Sequence, residues 1–183
     1  MITEPKAEHC CRIFAYGSLM WRPDFEFVKS TLGHVTGYHR RLSVYSNHYR
    51  GTPEKHGLVL GLDRGGICVG LVYDIAPERW ADVLDYVRRR ELISQVYREV
   101  VETVSVAEDG RKVTAVTYVV DPTHPQFAPP MSDAEIIAIV SKAHGLAGSC
   151  LDYVWNTIKH LRSLKIHDNG LESLARHLPP QAA

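Results

Sequence analysis

The chain has no surplus of either charge: 21 Lys and Arg balance 21 Asp and Glu over 183 residues. A nucleic-acid surface normally carries a basic excess, so that class of partner is not expected. No run of about 18 apolar residues occurs, so no membrane-spanning helix and no membrane partner are expected. The opening stretch "MITEPKAEHCCRIF" has no apolar signal-peptide core, which points to a cytoplasmic protein. Its four cysteines, Cys10, Cys11, Cys68 and Cys150, show no CxxC spacing, and reduced thiols are the expectation. Ten histidines are present, none in HxxxH or HExxH spacing. His160 and His167, seven apart, read as solvated or capping residues, and no metal site is expected. The dinucleotide fingerprint, the phosphate loop and the GxSxG elbow are all absent.

What is present is a hydrophobic fraction of 45%, enough for one domain with a sizeable core. Residues 10–178 are read as that single domain, with 1–9 and 179–183 as flexible termini. Strands are predicted at Arg12 to Tyr16 and Val35 to Ser46. "GLVLGLD" and "GICVGLVYDI" are predicted to form a hairpin around Arg64-Gly65-Gly66. The glycines at 57, 61, 66 and 70 suit tightly curved strands, as at the corners of a small barrel.

A helix from about Pro77 to Arg89 buries Trp80, Val83, Leu84 and Val87 on one stripe. Strands follow at Tyr97 to Val106 and Lys112 to Val120. After the loop "DPTHPQFAPP", Ser132 and Glu135 open a helix to about His144. Ser149 and Asp152 open another carrying Leu151, Val154, Trp155, Ile158 and Leu161, and a short helix runs from Leu171 to His177. Strands first and helices last, with one helix inserted, make an α+β fold.

Two local features carry chemistry. In "FAYGSLMW" the apolar run stops at Gly17-Ser18, in a turn that is either a plain corner or a backbone cradle for a ligand. Glu91 lies four residues beyond Val87, on the buried stripe if the helix reaches that far. A buried carboxylate is costly and needs a reason: a salt bridge to a neighbouring arginine, or function. The first two arginines of "RRR", Arg88 and Arg89, read as a solvated helix end.

Taken in order, "FAYGSLMWRPDF", "GYHRRLSVYS", "RGTPEKHGLVLGL", "RRRELISQVY" and "VVDPTHPQF" resemble the ChaC-type γ-glutamylcyclotransferases, from about Ile13 to Trp155. The resemblance implies a small mixed β-barrel with flanking helices. It also implies glutathione as the small-molecule substrate, cleaved to 5-oxoproline and cysteinylglycine without a cofactor. The family's YGSL loop falls on Tyr16, Gly17, Ser18 and Leu19, its catalytic glutamate on Glu91 in the pair Arg90-Glu91, and its later tyrosine on Tyr97. Arg50, in "HYRGTP", is a candidate for the glycine carboxylate of glutathione, or else a surface arginine. Arg40 and Arg41 alternate along a strand, so only one can face the site. The chain departs from the family at Val96, Cys150 and Asp152, where glycine, asparagine and glutamate are usual. Two alternatives stay open: a cyclotransferase for other γ-glutamyl amino acids or amines, and a non-catalytic glutathione-binding regulatory module.

Overall fold

The computed structural model describes residues 7–181, so the outermost parts of the expected flexible termini, 1–6 and 182–183, lie outside the described residues. Its contacts divide the chain into two compact units. One runs to Arg40 and resumes over Leu62–Asp121; the other holds Arg41–Gly61 and the chain from Pro122 onward.

Five strands close a barrel in the order β1-β3-β2-β4-β5. They are β1 (Arg12–Ala15), β2 (Lys29–Ser46), β3 (Gly57–Asp74), β4 (Tyr97–Val106) and β5 (Lys112–Val120). β1 is antiparallel to β3, Ala15 facing Leu71, and parallel to β5 through Ile13 and Val116. β4 and β5 pair antiparallel from Tyr97 with Val120 to Ser105 with Lys112. The barrel is therefore mixed, as expected. Ala115–Val120 is buried without alternation, the pattern of a strand covered on both faces.

Two strand expectations need correction. β2 begins at Lys29, six residues ahead of Val35. The hairpin at Arg64-Gly65-Gly66 does not form, because Gly57–Asp74 is one strand of 18 residues. Gly65 and Gly66 do take positive φ, 97° and 76°, as a tight reversal would require. A reversal also needs its two flanks to pair with each other. Here β3 lies between β1 and β2, and the two glycines sit inside one continuous strand. Gly70 has a different task. A Cβ there would lie 2.2 Å from the Ala15 carbonyl oxygen, so only glycine lets β3 pass the end of β1 this closely.

Helix α1 (Trp80–Glu91) follows a 3-10 turn at Pro77–Arg79 and buries the four stripe residues. The Trp80 indole N–H donates to the Ala7 carbonyl at 3.0 Å. The helix does reach Glu91, which is its last residue.

In the second unit, α2 (Asp133–Val140) carries the expected capping box between Ser132 and Glu135. It stops four residues short of His144. The Ser141 hydroxyl donates to the Ile137 carbonyl at 2.6 Å, and His144–Gly145 (β6) pairs with Gly148–Ser149 (β7). α3 (Cys150–Ser163) starts on the Ser149 cap; of its predicted stripe, Trp155 is half-buried and donates to the Pro179 carbonyl at 2.7 Å. α4 (Asn169–Ala175) begins two residues early because the Asp168 side chain accepts from Leu171 N–H at 3.1 Å.

Candidate active site

The YGSL turn leaves the end of β1 and becomes a 3-10 turn over Ser18–Met20. It is held from behind, by its carbonyls. The buried Arg40 guanidinium donates through Nε to the Tyr16 carbonyl at 2.5 Å and through Nη2 to the Val69 carbonyl at 2.6 Å. Met20 N–H donates to the Gly17 carbonyl at 2.9 Å. The Tyr73 hydroxyl lies 3.1 Å and 3.0 Å from the Leu19 and Met20 carbonyls, and burial pushes that phenol up to about 12. The Tyr16 hydroxyl donates to the Tyr118 carbonyl at 2.8 Å. The N–H groups of Ser18 and Leu19, in the opening turn of this short helix, have no acceptor within it. Gly17 sits at its start with φ −126°, so no left-handed strain attends a side chain there. Such a turn presents backbone donors to an anion.

Glu91 ends α1 with its side chain 17% exposed. Burial raises its carboxyl to about 6, against the opposing pull of Arg90. At the C-terminal end of a helix the carboxylate meets the negative end of the dipole and gains nothing from it. Arg90 Nε stands 3.5 Å from Glu91 Oε1, while Arg90 Nη2 donates to Ser18 Oγ at 3.1 Å. One guanidinium thus links the acid and the turn. The salt-bridge explanation for Glu91 is met only weakly, since 3.5 Å is a long contact and burial outweighs it.

Tyr97 opens β4 on the same face as Glu99, two residues on. Glu99 accepts two hydrogen bonds from Arg88, at 2.8 Å and 2.6 Å, and a third from the Tyr118 hydroxyl at 3.0 Å. Arg88 is therefore not part of a solvated helix end, which corrects the sequence expectation; Arg89 is, pairing with exposed Asp85 at 2.6 Å. Burial, reinforced by the carboxylates of Glu99 and Glu91, pushes the Tyr118 phenol far up. Sequence reasoning missed Arg88, Glu99, Tyr118 and Tyr73. A signal for Glu99 existed: an acid directly before Val100 and Val101 in a β-branched strand, where a charge needs a partner.

Arg50 belongs to the second unit. Its Nη1 donates to the Ser149 carbonyl at 3.2 Å, and its guanidinium lies over the Tyr153 ring at 5.3 Å. Arg41 in the same unit donates to the Ala128 carbonyl at 3.0 Å, so of the two strand arginines it is Arg40 that supports the turn. Cys150 Sγ lies 3.2 Å from both N and O of Leu58, and burial pushes its thiol up to about 11. Among the described residues, no group of three or more His, Cys, Asp or Glu could hold a metal ion.

A family model described as ChaC-like protein matches residues 11–180. The chain belongs to the ChaC-like family. Among its relatives, the glutathione-specific γ-glutamylcyclotransferase of Escherichia coli K12 is 32% identical, over 88% of this chain and 70% of that protein. The human glutathione-specific γ-glutamylcyclotransferase 1 is 33% identical, over 78% of this chain and 65% of that one. A crystal structure of a yeast γ-glutamyl cyclotransferase specific to glutathione superposes with a TM-score of 0.82 at 20% identity, covering 90% of this chain and 93% of that one. That likeness gives this ChaC-like chain the fold of the γ-glutamyl cyclotransferases. Among the described residues, no helix is long and apolar enough to cross a membrane.

Proposed function

We propose that this ChaC-like chain is a glutathione-specific γ-glutamylcyclotransferase that releases 5-oxoproline and cysteinylglycine, with Glu91 as its acid–base residue. Family membership and the names of the relatives support the activity. The observation that carries the site assignment is the raised Glu91 carboxyl, joined through Arg90 to Ser18 of the YGSL turn.

The chemistry is intramolecular. The α-amine of the γ-glutamyl group attacks its own γ-carbonyl, a C–N bond closes the five-membered ring, and the bond to the cysteine nitrogen breaks. Orientation of this kind can supply about 7–11 kcal/mol of the barrier. Ionised Glu91 takes a proton from the α-ammonium and returns one to the departing amine. A carboxyl near 6 is a better match for the amine than an ordinary glutamate. The backbone donors of Gly17, Ser18 and Leu19 hold the substrate's carboxylate or the developing oxyanion, and glycine at 17 lets it approach the main chain. Tyr16 and Tyr97 border the γ-glutamyl group.

Incubation with glutathione, followed by assay for both 5-oxoproline and cysteinylglycine, tests the activity. γ-Glutamyl-alanine in parallel tests the selectivity. Glutathione recovered intact, with binding seen by calorimetry, would leave a binding module instead.

A further inference from the structure

The three consecutive arginines at the end of α1 have three different fates. Arg89 meets Asp85 in solvent, and Arg88 neutralises Glu99. Arg90 reaches back across the YGSL turn. Beyond its contacts to Ser18 and Glu91, its Nη1 donates to the Arg22 carbonyl at 2.7 Å and the Tyr86 hydroxyl at 3.3 Å, and lies 3.5 Å from Asp24 Oδ2. Both terminal nitrogens of the planar fork therefore have acceptors, and the side chain is only 22% exposed. Asp24 takes φ 55°, a conformation that a non-glycine residue adopts at a cost, and the segment after the turn places its carboxylate beside this cation. Partial neutralisation of Glu91 would need a charge alone. Contacts to Ser18, to the chain just after the turn and to Glu91 need a rigid, multidentate group.

We infer that Arg90 is a positioning residue, holding the YGSL turn and the chain just after it against the end of α1, where Glu91 stands. The inference rests on the acid–base assignment of Glu91. It implies that the tether acts on kcat, because the distance between the acid and the oriented amine counts most in the transition state. A second consequence concerns pH. The groups around Glu91 are Arg90 on its own helix, Tyr118 on β5, Glu99 on β4 with its Arg88 partner, and Asp24 beyond Arg90. Of these, Arg90 draws the Glu91 proton affinity down. Its removal moves the acid limb of kcat/KM to higher pH.

The test compares Arg90→Met, Arg90→Lys and Glu91→Gln for kcat, KM, acid limb and Tm. Arg90→Met should lower kcat by roughly 10–100-fold, the scale of a misplaced catalytic group, with a smaller change in KM and a raised acid limb. Arg90→Lys keeps the charge and loses the fork, so the limb should return toward wild type while kcat recovers only in part. A lowered Tm with unchanged kcat and limb in Arg90→Met would make the arginine merely structural and overturn the inference. If Arg90→Met does not fold, Ser18→Ala removes only the turn end of the tether. A several-fold loss of kcat there supports the inference, and an unchanged kcat overturns it. Full activity in Glu91→Gln would refute the acid–base assignment itself; an inactive Glu91→Gln beside a normal Arg90→Met would refute the tether alone.

Discussion

Glu91→Gln separates catalysis from stability because the two roles of the carboxylate predict opposite outcomes. Glutamine keeps the volume and an acceptor oxygen but cannot take the ammonium proton. Loss of a general acid–base group typically costs 10²–10⁴ in rate, so kcat should fall by roughly 10²-fold or more. KM should change less, since the amide oxygen can still accept a hydrogen bond from the α-ammonium. The stability term follows from the raised carboxyl, from an ordinary value near 4.5 to about 6. With about 1.4 kcal/mol per pK unit, keeping Glu91 ionised in the fold costs on the order of 2 kcal/mol. The folded protein holds this proton more tightly than the unfolded chain does. Stability is therefore lost as pH rises from about 4.5 through about 6, and it stays lost above. Glu91→Gln escapes that cost, less whatever the 3.5 Å contact to Arg90 contributes. At neutral pH its Tm should match or exceed wild type by up to several degrees, at roughly 2–4 °C per kcal/mol for a chain of this size. The advantage should shrink toward pH 4.5. The acid limb of wild-type kcat/KM should lie near 6. Glutathione turnover and Tm, measured on one preparation across pH, give every term. Near wild-type kcat with a lowered Tm would refute the reasoning and return Glu91 to a structural ion pair.

Three further outcomes are expected. Gly17→Val should raise KM steeply by filling the space against the backbone donors, with Tm measured to follow the fold; an unchanged KM in the folded variant would make the turn a plain corner. Cys150→Ser should retain turnover, because a buried thiol raised to about 11 and engaged with Leu58 is not a nucleophile at neutral pH; a folded but inactive variant would demand a thiol mechanism. Activity should survive EDTA, since ring closure needs no Lewis acid; loss on chelation with recovery on added zinc or magnesium would contradict the proposed chemistry.

The sequence by itself determined the parts whose signals are local. The stripe of Trp80, Val83, Leu84 and Val87, extended by one turn, placed Glu91 on the buried side of α1, and the helix does end there. The capping spacing of Ser132 and Glu135 placed the start of α2 for the same reason, a pattern closed within one helical turn. The order of the motifs carried the family and the mixed barrel. Other features required the tertiary structure because their partners are distant in the chain. Gly65-Gly66 has the chemistry of a reversal, yet strand pairing with β1 and β2 keeps β3 continuous. Arg88 reads as a helix-end charge until Glu99, eleven residues away on β4, is seen to accept from it. Arg40 and Tyr73 hold the turn by its carbonyls and Arg90 holds it by the Ser18 hydroxyl, and no spacing announces those contacts. Periodicity states which face a residue occupies; what waits on that face, and what it does to a proton, is decided by burial and by charges that folding alone assembles.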